Sequence, residues 1–434
     1  MVPLTAVALN RFGLGARPGQ SLEDPVSWLE GQLSRRMGLP RALEGLPSSR
    51  QVLVEARSAR RKGEEAAQAL RRQWRREALP RERGARTLAA VHTRSPFRER
   101  LVAFWSNHFT VSVSRPEVAP LAGAFEREAI RPQATGLFSD LLVAVVKHPA
   151  MQLYLDNARS TGPDSPLGLR RGLGLNENLA REVLELHTLG VDGGYQQSDV
   201  EGLAGLLTGW GIDMEKGVAS HEPRRQQPGP HRVLGGRYGD GPGEMERCLR
   251  ALAEHPSTRK HLVRKLAVHF VDEQPSERCL QALEAAWEGS RGELATVYRA
   301  LLAVPEAWVP APTRWKSPWD LVVSAARALE WRAEDPAPLL ESQRLLGQAL
   351  WAAPSPAGWP DTQDAWLGPE ALLRRVEWCH EVAASVGGHR NPVGLAQGLL
   401  GDWATPDLLQ HVAAATSPVE GLTLVLASPA FQRR

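Results

Sequence analysis

The sequence predicts a mainly α protein: one large multi-helix unit over 1–434, with a long Gly/Pro-rich excursion and at most a small β-hairpin. Three observations carry that expectation. Apolar residues recur at helical spacing through most of the chain. Several of these stretches open on recognisable caps. The strand–helix alternation that a parallel sheet needs is not visible. With 434 residues, 42% of them hydrophobic, the chain has material for a large packed core.

Taken in order, residues 24–38 begin with Asp24 as a cap and Pro25 at the first helical position, then set Trp28, Leu29 and Leu33 on one side. Residues 50–79 form a basic, Arg- and Ala-rich helix whose arginine stems cover apolar neighbours. After Pro96, the run FRERLVAFWSNHFTVS places Leu101, Phe104, Trp105 and His108 at i, i+3, i+4 and i+7, so His108 points inward. Two further helices occupy 121–156, divided by RPQATG, and a Gly/Ser/Pro-rich loop covers 158–175. Residues 198–210 read as a helix capped by Ser198 ahead of Glu201. An irregular insertion follows at 211–243, with one β-like run, RVLGGRY. Helices resume over 244–304, 318–331 and 337–351, and a Pro/Trp-rich break at 352–366 precedes the last ones from about 369.

Composition excludes several classes. The 52 basic and 49 acidic residues leave a net charge of +3, which makes no case for nucleic acid. The basic helix has Trp74 alone as a stacking aromatic, which points the same way. No apolar run approaches the length of a membrane span. The start carries no signal-peptide pattern, so the chain reads as cytoplasmic, or as periplasmic or secreted if a leader has been removed. Three cysteines without a CxxC pair give no disulfide scaffold or zinc ribbon. GxSxG, Walker A and Rossmann patterns are also missing.

The densest polar segment is 173-LGLNENLAREVLELHTLGVDGGY-195. Asn176 reads as N-cap and Gly190 as the C-terminal stop. Setting Glu177 at zero, Arg181, Glu185, Asn178 and Glu182 fall at roughly 40°, 80°, 100° and 140° around a helix, and His187 near 280°. His187 therefore borders the apolar face, where a histidine is expected to bond a backbone carbonyl. Asn178, Arg181, Glu182 and Glu185 form a stripe that suits acid/base work or cation binding, or else a solvated face with Arg181 pairing at i±4. A metal would need ligands from elsewhere in the chain, with His187 and His221 as the candidates. Further donors are Asn107 and His108, Asp156 and Asn157, Glu222 and His231.

Eight motifs then occur in a familiar order. They include NRFGLGARPG (10–19), FWSNHFTVS (104–112), HPAMQLYLDNARSTG (148–162), LNENLAREVLELHTLGVDGGY (175–195), HPSTRKHLVRKLAVHFV (255–271) and PSPAGWP (354–360). Over essentially its whole length the chain resembles the bacterial domain-of-unknown-function family numbered 1800. The resemblance implies one long helical unit, and no established activity. It also implies an export tendency and a protein partner encoded nearby. This chain departs from the family's usual HEPG, because RRQQP separates His221-Glu222-Pro223 from Gly229.

The functional expectation is an enzyme of hydrolase type, with or without a divalent metal, acting on a small-molecule or polymer substrate. Its site is the helix 176–189, with catalytic Glu182, Glu185, Arg181, Asn178, His108 and Asp156. The competing expectation is a non-catalytic binding or assembly protein whose polar helix is a structural hydrogen-bond network.

Overall fold

A computed structural model describes residues 3–34, 38–386 and 390–434. It is 64% helical, and its strands make only two small antiparallel two-stranded sheets. The fold is therefore mainly α, as the helical periodicity predicts. One contiguous buried apolar cluster runs from Ala6 to Phe431, with a small satellite of Ala396, Val412 and Val425. No helix among the described residues is long and apolar enough to cross a membrane.

Several boundaries differ from expectation for local reasons. The first capped helix ends early, at Pro25–Glu30 with a 3-10 turn Gly31–Leu33, although Asp24 does cap it by accepting from Ser27 N at 3.0 Å. Residues 35–37 of that expected helix lie outside the described residues. The long basic helix breaks at Gly63, whose φ of 117° no helix accommodates. Its halves, Ser49–Lys62 and Glu64–Gln73, fold back on each other, bringing Trp74 Nε1 within 3.4 Å of Glu55. Helix 197–207 starts one residue before the expected cap. Gln196, not Ser198, caps it, because Asp199 accepts from Gln196 N at 2.8 Å. The loop at 158–175 contains a short helix, Pro166–Arg171, capped by Ser165. A third helix, Pro149–Tyr154, follows the break that Pro149 imposes at His148.

The insertion holds two hairpins rather than one. Strands β1 (Trp210–Asp213) and β2 (Val218–His221) pair antiparallel, as do β3 (His231–Val233) and β4 (Gly236–Tyr238). The β-like run RVLGGRY supplies nearly all of the second hairpin; the first has too few alternating apolar residues to announce itself.

At the centre, the aromatic helix Pro96–His108 packs against the helix Pro256–Phe270. Phe97 and Phe270 have ring centroids 5.8 Å apart, and Phe12 sits within 5.9 Å of both. Fully burying rings of this size contributes roughly 2 kcal/mol each. Trp105 Nε1 donates to Tyr298 Oη at 2.6 Å, which donates to Ala134 O at 2.9 Å, so the deepest indole and phenol are satisfied. The final residues then cross this assembly: Arg434 N donates to Arg314 O at 2.7 Å, and Arg314 N donates back to Arg434 O at 3.1 Å.

Candidate functional site

Between these packed helices lies a cavity of about 250 Å³. Its walls come from Pro96–His108, Pro256–Phe270, the helix Pro318–Ala328 and the irregular segment 348–366. The Pro/Trp-rich break is thus a wall rather than a linker. Asn107 fastens it, since its Nδ2 donates to Trp359 O and its Oδ1 accepts from Trp359 N, both at 2.8 Å. Gly358 permits this approach. At φ 82°, a Cβ there would stand 2.4 Å from Asn107 O. Trp319, Trp351 and Trp359 all line the cavity, and none of their Nε1 atoms has an acceptor among the described residues.

Two ion networks support the floor. In the first, Arg131 grips Glu99 with two bonds of 2.7 Å and Glu126 at 3.0 Å, while Arg86 pairs Glu126 at 2.6 Å. Two arginines against two glutamates leave it neutral, as burial requires. In the second, Arg100 holds Asp320 at 2.9 Å and Arg434 reaches the same carboxylate at 3.3 Å. Burial opposes ionisation of Asp320, but these arginines outweigh it and keep its pKa low.

The chemically distinct feature is a histidine–aspartate pair. His269 Nδ1 stands 2.7 Å from Asp361 Oδ2, and both side chains line the cavity. A carboxylate accepts, so Nδ1 carries the proton and Nε2 keeps a lone pair. Nε2 has no partner among the described residues. Burial also opposes ionisation of Asp361, but His269, Arg434 and Arg314 prevail and hold its carboxyl well below the usual range. Burial lowers the His269 pKa, against the pull of Asp361.

One helical turn before His269 stands Lys265, also on the cavity wall. Its Nζ lies 3.1 Å from His108 Nδ1, and His108 Nε2 lies 3.2 Å from the carbonyl of His187. A carbonyl only accepts, so His108 Nε2 carries the proton and Nδ1 accepts from Lys265. Burial, Lys265 and the neighbouring His187 and His261 hold His108 neutral, with its pKa far below 6.5.

The sequence model of DUF1800, described as a protein of unknown function, matches residues 7–433. The chain belongs to the DUF1800 family. No curated protein and no solved structure matches it.

The residues singled out from this DUF1800 sequence do not share one cavity. His108 lines the cavity beside Pro96–His108; Asp156 lines a separate depression and pairs with Arg115 at 2.7 Å. Asn178, Arg181, Glu182 and Glu185 line neither. Asn178 is exposed, and its N–H donates to Asn176 Oδ1 at 2.9 Å; the helix starts one residue later than expected, with Glu177 rather than Asn176 in the cap position. Arg181 reaches Glu177 and Gln197, both at 2.9 Å, and Tyr195 Oη donates to Glu185 at 3.1 Å. Glu182 is half-buried, and burial together with Glu185 raises its pKa. Asn157 is wholly buried and bonds Gln152, Leu207 O and Trp210 O.

His187 does face the core, but its ring makes no carbonyl bond, and neither nitrogen has a partner among the described residues. It packs instead against Phe109, 5.0 Å away, and burial lowers its pKa to about 3. The backbone explains the difference. From Val183 to Thr188 the helix is π, so uniform 100° spacing lapses there. The carbonyls at its end are capped by His108 and by His261, whose Nε2 stands 3.3 Å from Leu186 O. His221 packs on Trp210 at 5.6 Å, and His231 Nε2 meets Gln227 O at 3.2 Å. Glu222 is exposed beside them. Among the described residues no group of three or more His, Cys, Asp or Glu is placed to hold a metal ion.

Sequence reasoning missed Lys265, His269, Asp361, Arg314 and the tryptophan wall. A signal for two of them was present: His261, Lys265 and His269 stand at i, i+4 and i+8 on one helix. Asp361 had none, because nothing local in PSPAGWPDTQ marks it as a partner for a helix 92 positions away.

Proposed function

We propose that this protein is a small-molecule enzyme working by general acid–base catalysis in the cavity beside Pro96–His108. His269 is the base and Asp361 orients it. The single observation that carries this reading is the 2.7 Å His269–Asp361 bond on the wall of a cavity, with Nε2 left unpartnered. Asp361 fixes the tautomer and stabilises the imidazolium formed when Nε2 takes a proton. Acid–base hydrolysis belongs to this class, and so do isomerisation and elimination.

The polar helix 176–189 supports the site through its backbone in this reading. Its His187 carbonyl orients His108, which in turn holds Lys265. A second reading, in which the cavity binds without catalysis, is favoured by the closed side-chain network of Arg181, Glu177 and Gln197 on that helix. The two separate by incubating pure protein with a cellular metabolite extract. A metabolite consumed by wild type but not by His269→Asn, with both proteins folded by circular dichroism, supports the enzyme. Identical profiles from the two proteins sink it.

A further inference from the structure

The composition and the cavity wall converge on Lys265. Only six of the chain's 52 basic residues are lysines, at 62, 147, 216, 260, 265 and 316. Arginine supplies charge everywhere else, and arginine cannot release a proton to become a nucleophile. One of those six lines the cavity. Lys147 and Lys216 pair with Glu246 and Asp213, whereas Lys265 makes no ion pair among the described residues. The contact holding its Nζ is His108 Nδ1, at 3.1 Å, a neutral acceptor that fixes the nitrogen without stabilising its charge as a carboxylate would. The carboxylate of Asp361 favours its protonation, and burial opposes it more strongly. The neutral rings of His187 and His261 stand 6.1 and 6.5 Å from that of His108, and Arg100, Arg314 and Arg434 line the wall. That Asp361 carboxylate is already engaged by His269. Burial is the largest influence, and it lowers the Lys265 pKa.

The geometry points to Lys265 as a nucleophilic amine that captures an aldehyde or ketone substrate in the cavity as an imine. The inference rests on the cavity being the active site and narrows its substrate class to carbonyl compounds. The nitrogen lone pair adds to the carbonyl carbon while the C=O π pair moves to oxygen. The two protons of the amine pass to that oxygen, which leaves as water as the C=N bond forms. One amine and one carbonyl thus give one imine and one water, with no oxidant or reductant. His269, one turn along the same helix, is the base for a proton on the carbon next to the imine. His108 is a positioning residue for Nζ.

Glyoxylate with sodium borohydride tests this on the full chain. Borohydride delivers a hydride to the imine carbon, leaving a stable carboxymethyl lysine for peptide mapping. Lys265 is expected to be modified at neutral pH faster than the exposed lysines, because it lines the cavity and burial lowers its pKa. Lys316 is the internal control. Its pKa falls to about 7, mainly through burial, but it does not line the cavity. Modification at Lys316 or at the surface lysines with none at Lys265 overturns the inference, and so does labelling of Lys265 no faster than Lys260. Lys265→Arg should lose the adduct, although the wild-type map decides the matter even if that variant fails to fold. Labelled Lys265 with a His269→Asn profile equal to wild type overturns only the acid–base reading. His269-dependent turnover without labelling overturns only the imine.

Discussion

His269 and Asp361 stand 92 positions apart in the chain and meet at 2.7 Å on the cavity wall. The helix that carries His269 is regular, and the segment that carries Asp361 is irregular. Asp361→Asn keeps the shape and removes the charge that orients the ring. The Asp361 side chain is 37% exposed, so solvent screens the loss. A destabilisation of about 1–2 kcal/mol is expected in urea titration. Turnover should fall far more steeply than stability; parallel losses would refute the orienting role.

Acid should unfold this protein early. His108, His187 and His261 are held neutral by burial, with pKa far below 6.5, about 3 and about 4 respectively. Their folded pKa values lie below the unfolded value, so the unfolded state binds more protons as pH drops below about 6.5. Stability therefore falls with pH across about 6.5 to 4, by up to roughly 1.4 kcal/mol per pH unit for each ring. Chemical denaturation at stepped pH measures that slope. His187→Leu should flatten it by about one ring's share; an unchanged slope would show that His187 does not contribute.

The Arg86–Glu99–Glu126–Arg131 tetrad is almost wholly buried. Removing one member strands a charge. Arg131→Met is expected to cost on the order of 3–5 kcal/mol by denaturant unfolding. A loss below 1 kcal/mol would mean that water reaches the tetrad.

Asn107 should govern the wall at 352–366. Asn107→Ala breaks both bonds to Trp359, and Gly358→Ala forces a Cβ against Asn107 O. Hydrogen exchange across 352–366 is expected to accelerate in both variants, and exchange in the helix Pro369–Val386 to stay as it is. Uniform acceleration over the whole chain would instead mark a global loss of stability.

The stripe on the polar helix makes the opposite prediction. Glu182→Gln with Glu185→Gln should leave turnover within about twofold of wild type, since neither residue lines the cavity. Loss of turnover in that double variant would return the site to helix 176–189.

Much of the fold was legible because helices declare themselves locally. Asp24, Pro96 and Gly190 stand at helix boundaries as their chemistry demands, and His108 faces inward as its spacing with Leu101, Phe104 and Trp105 requires. The stripe at 176–189 misled because a dense run of carboxylates and amides looks alike whether it bonds a ligand or the next helix. Here Arg181 reaches across to Gln197, a partner that angular arithmetic on one helix does not contain. The π turn from Val183 to Thr188 was also silent, since no residue type in VLELHT calls for it.

The sequence by itself determined a mainly helical chain, its family, its caps, its irregular insertion and the inward face of His108. Those follow from periodicity and backbone chemistry acting over a few residues. Tertiary packing alone decided that Lys265, His269 and Asp361 share one wall, and that a Pro/Trp-rich break is part of a cavity. A charge pair closed over 92 positions depends on which helix packs where, and that is a property of the whole core rather than of any segment.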